Sequence, residues 1–298
     1  MVYTEIKEKN NKKYYYRTIS IRKNNKITKK RRYMGKDLKK EELKLAEKEA
    51  DKKMQLLNTL LTKEDLEFLK KIKEKYSQEP KETLENRYEA FISNFTYNST
   101  AIEGNTINLQ ETAQLLFENI TPRKTLREIN EIVNHKKAFD FSLSYKEDIN
   151  KEFILELHKL VVINTLKPEL ETQIGKFRKL QVFIRGTNWL PPQPEIVPKE
   201  IGALLKWYTK NKDELHPLVT AAYFHAGFEI IHPFVDGNGR VGRLLMNFIL
   251  HKNKFSMISI SNSTKYEYYK SLEEAQKGNL KLFIEYLIKN FKENKLFF

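Results

Sequence analysis

Apolar positions recur three to four residues apart over most of this chain, and that period predicts a mainly helical protein. From Lys39 to about Lys75 the repeating set is Leu43, Leu45, Ala46, Ala50, Met54, Leu57, Leu60 and Leu61, which predicts one helical stretch. Pro80 breaks it. A second helix is expected from about Lys81 through Phe95, followed by a segment carrying Ser99 to Asn105. From Thr106 onward the pattern predicts helices over roughly 109–118, 123–145, 150–162, 198–212, 215–230, 239–252, 264–275 and 278–294.

Two intervals break this period. Residues 12–35, KKYYYRTISIRKNNKITKKRRYMG, alternate aromatic and β-branched residues around a turn-like Lys23-Asn24-Asn25-Lys26. They predict a short hairpin or three-stranded antiparallel sheet that ends near Gly35. Residues 170–196 mix β-branched and aromatic residues with Gly175, Gly186 and the Pro191-Pro192 pair. They predict a hairpin-like excursion before a helix that begins near Pro198, and so long an excursion reads as a functional flap. The expected organisation is a basic hairpin-plus-helix module over 1–78, a helical region over 79–108, and a helical body over 109–298 with a flap at about 170–196.

Charge sharpens the first boundary. The 298 residues hold 54 Lys and Arg against 39 Asp and Glu, a net charge of +15. Within residues 1–40 the basic groups number 15 and the acidic ones three (Glu5, Glu8, Asp37), so nearly all the excess lies there. A distinct basic module precedes a near-neutral body. The chain has no cysteine, which excludes disulfides, thiolate metal sites and a cysteine nucleophile. The first residues lack the apolar core of a secretory signal, and no apolar run is long enough for a membrane helix. The expected compartment is the cytoplasm, with no membrane partner.

The chemistry concentrates in Ile231 to Asn247, IHPFVDGNGRVGRLLMN. Helical periodicity on both sides makes Asp236-Gly237-Asn238-Gly239 the turn between two helices. A helix start exposes unpaired N–H groups and the positive end of the dipole. Glycines on either side of Asn238 let the backbone approach an anion closely. Arg240 and Arg243 stand one turn apart near that start, where cations oppose the dipole; polyphosphate binding accounts for them. Asp236 offers a hard oxygen ligand beside those phosphates, as Mg²⁺ sharing requires. His232 is a neutral-pH base next to the turn. A lone histidine or Gly-Asn-Gly turn is ordinarily structural. Base, carboxylate, cradle and two arginines within twelve residues are not so explained.

His232-Pro233-Phe234-Val235-Asp236-Gly237-Asn238-Gly239-Arg240-Val241-Gly242-Arg243 resembles the Fic family motif HPFx[D/E]GNGRxxR at every fixed position, and the resemblance extends from about Tyr88 to Phe291. It implies a Fic-type helical core with a β-hairpin flap, and transfer of AMP from ATP to a Ser, Thr or Tyr hydroxyl of a target protein or of the chain itself. His232 would be the catalytic base, and Asp236 would hold Mg²⁺. The stretch Asp236, Gly237, Asn238, Gly239, Arg240, Val241, Gly242 and Arg243 would bind the nucleotide. Gly186, Thr187, Asn188 and Trp189 at the flap tip, and Tyr268, Tyr269 and Gln276 at the nucleoside end, complete that set. Of the adjacent tyrosines, one is expected in the core and one facing ligand. Val182, Phe183 and Ile184 would pair with a target strand.

Ser99-Thr100-Ala101-Ile102-Glu103-Gly104 resembles the inhibitory motif (S/T)xxxE(G/N) of Fic proteins that restrain themselves. Ser99 and Glu103 share a helix face, and Gly104 can end that helix in the left-handed region. The family implies that Glu103 pairs with Arg243, with regulation either intramolecular or linked to a homo-oligomer. Two other readings stay open. The scaffold could remove AMP or transfer another phosphate-containing group. The basic front, with Tyr14, Tyr15, Tyr16 and Tyr33, could serve a regulator that binds nucleic acid through residues 1–40.

Overall fold

A computed structural model describes residues 2–23, 26–53, 57–77, 83–184 and 189–293. The chain divides into two compact units, 1–57 and 58–298.

The first unit is a sheet of order β1-β2-β3, built from β1 (Val2–Lys9), β2 (Lys12–Lys23) and β3 (Lys26–Lys36), followed by helix α1 (Lys40–Lys53). Both pairings are antiparallel. The predicted sheet is therefore three-stranded, and its first hairpin turns at Asn10-Asn11. Both asparagines have positive φ, 52° and 56°, the backbone that a two-residue turn between twisted strands requires. Residues 24 and 25 of the turn read from sequence lie outside the described residues. Tyr15 and Ala50 are buried, and Arg17 pairs with Glu47 of α1, so one sheet face is packed on the helix. On the other face Tyr16 and Tyr33 lie with ring centroids 5.4 Å apart, and Tyr14 is 6.4 Å from Tyr33.

The helical stretch expected over 39–75 is two helices. α2 (Lys63–Ser77) has its own N-terminal cap: Thr62 Oγ1 accepts from Asp65 N–H at 3.1 Å, and the Asp65 carboxylate accepts from Thr62 N–H at 2.9 Å. This reciprocal box gives the second helix a local start that hydrophobic period alone does not reveal. α2 belongs to the larger unit.

In that unit α3 (Leu84–Ile102) runs unbroken through Ser99, where separate segments were expected. Its buried Phe91, Ile92, Phe95, Ser99 and Ile102 form one face at helical spacing. It ends in a Schellman arrangement: Asn105 N–H donates to Thr100 O at 3.1 Å and Gly104 N–H to Ala101 O at 3.0 Å, with Gly104 at φ 103°. Next come α4 (Leu109–Ala113), which passes into a π-turn over Gln114–Glu118, α5 (Leu126–Ser144) and α6 (Lys151–Val162). α7 (Val197–Asn211), α8 (Pro217–Ile231), α9 (Asn238–Lys252), α10 (Lys265–Gln276) and α11 (Leu280–Glu293) complete it.

The α8–α9 pair is the centre. α8 packs on α7, α9, α10 and α11, while α9 packs on α3, α5 and α6. Every residue of α9 from Arg240 to Leu250 is buried, the signature of a helix enclosed on all sides. Each of its large apolar side chains contributes about 1.5–3 kcal/mol by leaving water. Nothing at this centre can shift cheaply, so the turn between α8 and α9 is held from below.

A hairpin was expected over 170–196, and the described residues there contain no strand. Pro191, Pro192 and Pro194 on the returning arm have no N–H to give a ladder. Side chains tie the arms instead. Gln181 Nε2 donates to Pro191 O at 3.0 Å, and Arg178 Nη1 and Nη2 donate to the carbonyls of Leu180 and Pro192.

Candidate active site

His232 caps α8 in the left-handed region, φ 49°, and Gly237 caps the start of α9 at φ 82°. These two positions reverse the chain within five residues. The turn is pinned from inside by Asn238, whose Oδ1 accepts from Phe234 N–H and whose Nδ2 donates to Phe234 O, both at 2.9 Å. Phe234 stacks on His158 with centroids 3.8 Å apart. A side chain at 237 would run into Val162, its Cβ 2.8 Å from Cγ1. The first bond of α9 is Val241 N–H to Gly237 O, so the N–H groups of Asn238, Gly239 and Arg240 have no intrahelical acceptor.

His232 is held from outside by Arg178, a fully buried guanidinium whose Nε donates to His232 O at 2.8 Å. Arg178 N–H donates to Pro233 O at 2.9 Å. Burial drives the His232 imidazole down to about 4, against the smaller opposing pull of Glu103, so the ring is neutral at pH 7 and able to take a proton. Asp236 lies 3.1 Å from Arg240 through Oδ1, and its Oδ2 is 3.6 Å from Arg127. Burial raises its carboxyl, but the Arg240 charge, the Gly237 N–H and Arg127 outweigh that and hold it below its ordinary value. It is ionised and half-exposed.

Arg240 is 2% exposed, and its Nε and Nη1 make no hydrogen bond among the described residues. Its remaining neighbour is Glu131, 3.8 Å away. A buried cation with unsatisfied donors at a helix start is a site for an anion. Asp236 supplies one hard oxygen there, and no group of three or more His, Asp or Glu side chains that could hold a metal occurs among the described residues. The donor set fits Mg²⁺ whose other ligands are phosphate oxygens, not a metal held by protein alone.

Arg243, one turn on, is 1% exposed and fully engaged. Nε donates to Ser99 Oγ at 3.0 Å, and Nη2 donates to Ser99 O at 2.7 Å and to Glu103 Oε1 at 2.8 Å. The pair that the resemblance implies is present as a contact. Glu103 closes so tightly over α9 that a Cβ on Gly239 would overlap its carboxylate and stand 2.9 Å from Arg243 Nη1.

Several expected roles change. The Asn238 side chain braces the turn, leaving only its backbone to face an anion. Val241 is a core residue, 0% exposed. Gly242 faces Glu229 and His225 across the α8 contact. Tyr268 is buried with its hydroxyl 2.7 Å from His225 Nε2, while Tyr269 is half open, 3.4 Å from Ile102 O. One tyrosine is core and one outward. Gln276 is the last residue of α10 and half-buried. Trp189 donates from Nε1 to Ile230 O at 3.3 Å, beside His232; Gly186, Thr187 and Asn188 lie outside the described residues. Val182, Phe183 and Ile184 belong to no ladder among the described residues, and Phe183 is 82% exposed.

Sequence reasoning missed Arg178, Arg127, Glu131 and Glu229. The first three are charges far from the motif in sequence; only the fold brings them to it. Glu229 lies three residues before His232, in the apolar run of α8, where a carboxylate with no local partner was a signal.

A model of the Fic/DOC family matches residues 148–250. The chain is 34% identical to "Protein adenylyltransferase fic-1" of Caenorhabditis briggsae over 203 residues, 66% of this chain and 39% of that one. It is also 34% identical to "Protein adenylyltransferase Fic" of Nematostella vectensis over 197 residues, 64% of this chain and 45% of that one. The chain thus spans less than half the length of these curated relatives. Among solved structures, a Fic-domain-containing signalling protein of Bacteroides thetaiotaomicron superposes with TM-score 0.68 at 25% identity, covering 75% of this chain and 92% of that one. A fragment of Fic-1 from Caenorhabditis elegans gives TM-score 0.68 at 27% identity, over 85% and 75%.

Proposed function

We propose, from the premise that this chain carries a Fic/DOC family domain, that it transfers AMP from ATP to a hydroxyl of a protein substrate and restrains itself through Glu103. The observation that carries this reading is the pairing of two buried guanidiniums at one helix start, Arg240 with open donors and Arg243 already held by a carboxylate.

The N–H groups at the start of α9 and the Arg240 guanidinium receive phosphate oxygens, and Arg243 neutralises charge toward the γ end. Asp236 would hold Mg²⁺, and the ion would supply neutralisation of the phosphate charge. Neutral His232 takes the proton from the attacking hydroxyl. The new bond joins that oxygen to the α-phosphorus, the bond from the α-phosphorus to the bridging oxygen breaks, and pyrophosphate leaves. Arg178 keeps the imidazole aimed at the site by fixing its backbone. The segment Val182-Phe183-Ile184, with Phe183 open to solvent, would pair with the target through its main chain. Glu103 restrains the reaction by occupying the arginine that the γ-phosphate needs. The absence of cysteine suits a reducing compartment such as the cytoplasm.

The test is incubation of the Glu103→Gly protein with α-labelled ATP and a lysate, followed by mass spectrometry of acceptor peptides. Addition of AMP supports the reading. A different added mass, or loss of AMP from a prepared AMP-protein, assigns the scaffold to another phosphate-group transfer or to AMP removal.

A second reading concerns residues 1–57 alone. The Tyr14–Tyr16–Tyr33 cluster, with Lys7 5.6 Å from the Tyr16 ring, joins aromatic faces to a strongly basic strand set. That combination suits stacking of nucleic-acid bases with phosphate contacts. Salt-dependent binding of the full chain to single-stranded RNA, lost in Tyr16→Ala/Tyr33→Ala, is the expected result; equal binding by that variant removes it.

A further inference from the structure

Gly239 and Gly242 are one turn apart on α9 and leave a groove without side chains. Three ionisable groups lie along it. Glu103 reaches over Gly239 from the end of α3 and holds Arg243. Glu229 enters from α8 so closely that a Cβ on Gly242 would stand 2.5 Å from its Oε1. Glu229 is half-buried as a residue, but Oε1 itself is sealed from water and makes no hydrogen bond among the described residues. An unsatisfied carboxyl oxygen inside a core is destabilising unless it serves a state in which it has a partner.

We propose that Glu229 is a positioning residue for Arg243: it is a standby carboxylate that holds the guanidinium whenever neither Glu103 nor nucleotide phosphate does. This rests on the reading that Glu103 and the nucleotide compete for Arg243.

The groups facing Glu229 are Arg243 from α9, Glu103 from the end of α3, Tyr268 and Tyr269 from α10, and His225 on its own helix. α7 and α11 meet α8 nearby through apolar Leu204 and Phe283. With Glu103 in place, burial pushes the Glu229 carboxyl up to about 8; Arg243 pulls it down, and the Glu103 charge adds to the rise. Glu229 is then neutral at pH 7, and Arg243 has one anionic partner. When Glu103 withdraws, its repulsion ends and Arg243 is left as a buried cation without a counter-charge. Glu229 gives its proton to water, and its carboxylate takes the guanidinium. When phosphate arrives, negative charge returns to Arg243 and Glu229 takes the proton back.

The sign of the linkage follows. In the Glu103→Gly protein, nucleotide binding takes up a proton at Glu229, so affinity falls as pH rises toward 8, by at most about tenfold per pH unit. In the wild type, phosphate replaces Glu103 and Glu229 is neutral before and after, so this uptake is absent.

The experiment is calorimetry of a non-hydrolysable ATP analogue with Mg²⁺ at pH 6, 7 and 8, in two buffers of different ionisation enthalpy. Glu103→Gly is compared with Glu103→Gly/Glu229→Gln. The expected result is a proton uptake, and a weakening of affinity with pH, that the Glu229→Gln change removes; a purely structural role would shift affinity equally at every pH. Identical proton uptake in the two proteins overturns the proposal while leaving nucleotide binding intact. Failure of both to bind the analogue overturns the underlying reading as well. Should Glu229→Gln fail to fold, the carboxyl carbon resonances of glutamate-labelled protein give the answer without it. One glutamate titrating near pH 8 in the wild type must move to lower pH in Glu103→Gly; an unmoved titration overturns the proposal.

Discussion

Replacing Glu103 by glycine tests the central contact most directly. The Glu103–Arg243 bond is a charge-assisted hydrogen bond of 2.8 Å with one end fully buried. Such a bond contributes about 1.5–3 kcal/mol when well enclosed. The Glu103 side chain is 36% exposed, so water screens its charge and the lower end applies, about 1.5 kcal/mol. That is roughly a tenfold shift in the fraction of protein whose Arg243 is open to phosphate. The expected outcome is a rise of about tenfold or more in incorporation of α-labelled AMP at subsaturating ATP. The same change leaves the buried cation to a carboxylate that must first give up its proton, so the protein also melts earlier. For a folded unit of this size about 1.5 kcal/mol corresponds to roughly 3–6 °C. Nucleotide should restore part of that loss by supplying phosphate to Arg243. Labelling and melting temperature both equal to the wild type would refute the argument, because the contact would then carry neither restraint nor stability.

His232→Ala in the Glu103→Gly background is expected to lose labelling altogether while still binding nucleotide by calorimetry. Arg178→Ala frees the carbonyls of His232, Leu180 and Pro192 at once; labelling should fall at least tenfold through kcat, with the KM for ATP little changed in steady-state kinetics. Gly237→Ala has both a positive φ and a clash with Val162 against it, and should lower the melting temperature by several degrees in a thermal scan. Burial holds His225 and His158 at about 3 and His216 and His232 at about 4, so the unfolded chain binds more protons below about pH 6.5. Stability is therefore lost as pH falls from there. Glu229 acts in the opposite sense: held at about 8, it keeps a proton that the unfolded chain releases near 4.5. Stability should decline again from about pH 6.5 to 8, and Glu229→Gln should flatten that upper limb in melting curves.

The helices from residue 109 onward were legible because their apolar faces repeat strictly, and the site was legible because its cradle, base and arginines lie in one short run. What could not be read depended on contacts across the fold. The break between α1 and α2 rests on the Thr62–Asp65 box, which hydrophobic period ignores. The first hairpin turn is set by Asn10-Asn11, which precede the alternating stretch that begins at Lys12. Residues 170–196 carry strand-like composition, yet Arg178 and Gln181 join the arms where prolines cannot. Adjacent tyrosines on one helix must point apart, and Tyr268 is buried while Tyr269 is half open. Which of them is inside depends on the partner His225, and that choice is made by α8.

The Schellman ending of α3 sets the mechanical scale of release. Phe91, Ile92 and Phe95 anchor the helix body in the core, so it cannot slide as a rod to withdraw its last residue. Glu103 lies past those rings, on a cap held by backbone bonds from Gly104 and Asn105 and by the Asn105 side chain, whose Nδ2 donates to Glu128 O and Glu131 Oε2 of α5. Opening of that cap would part Arg243 from its carboxylate while the Ser99 bonds and every buried aromatic ring stayed in place.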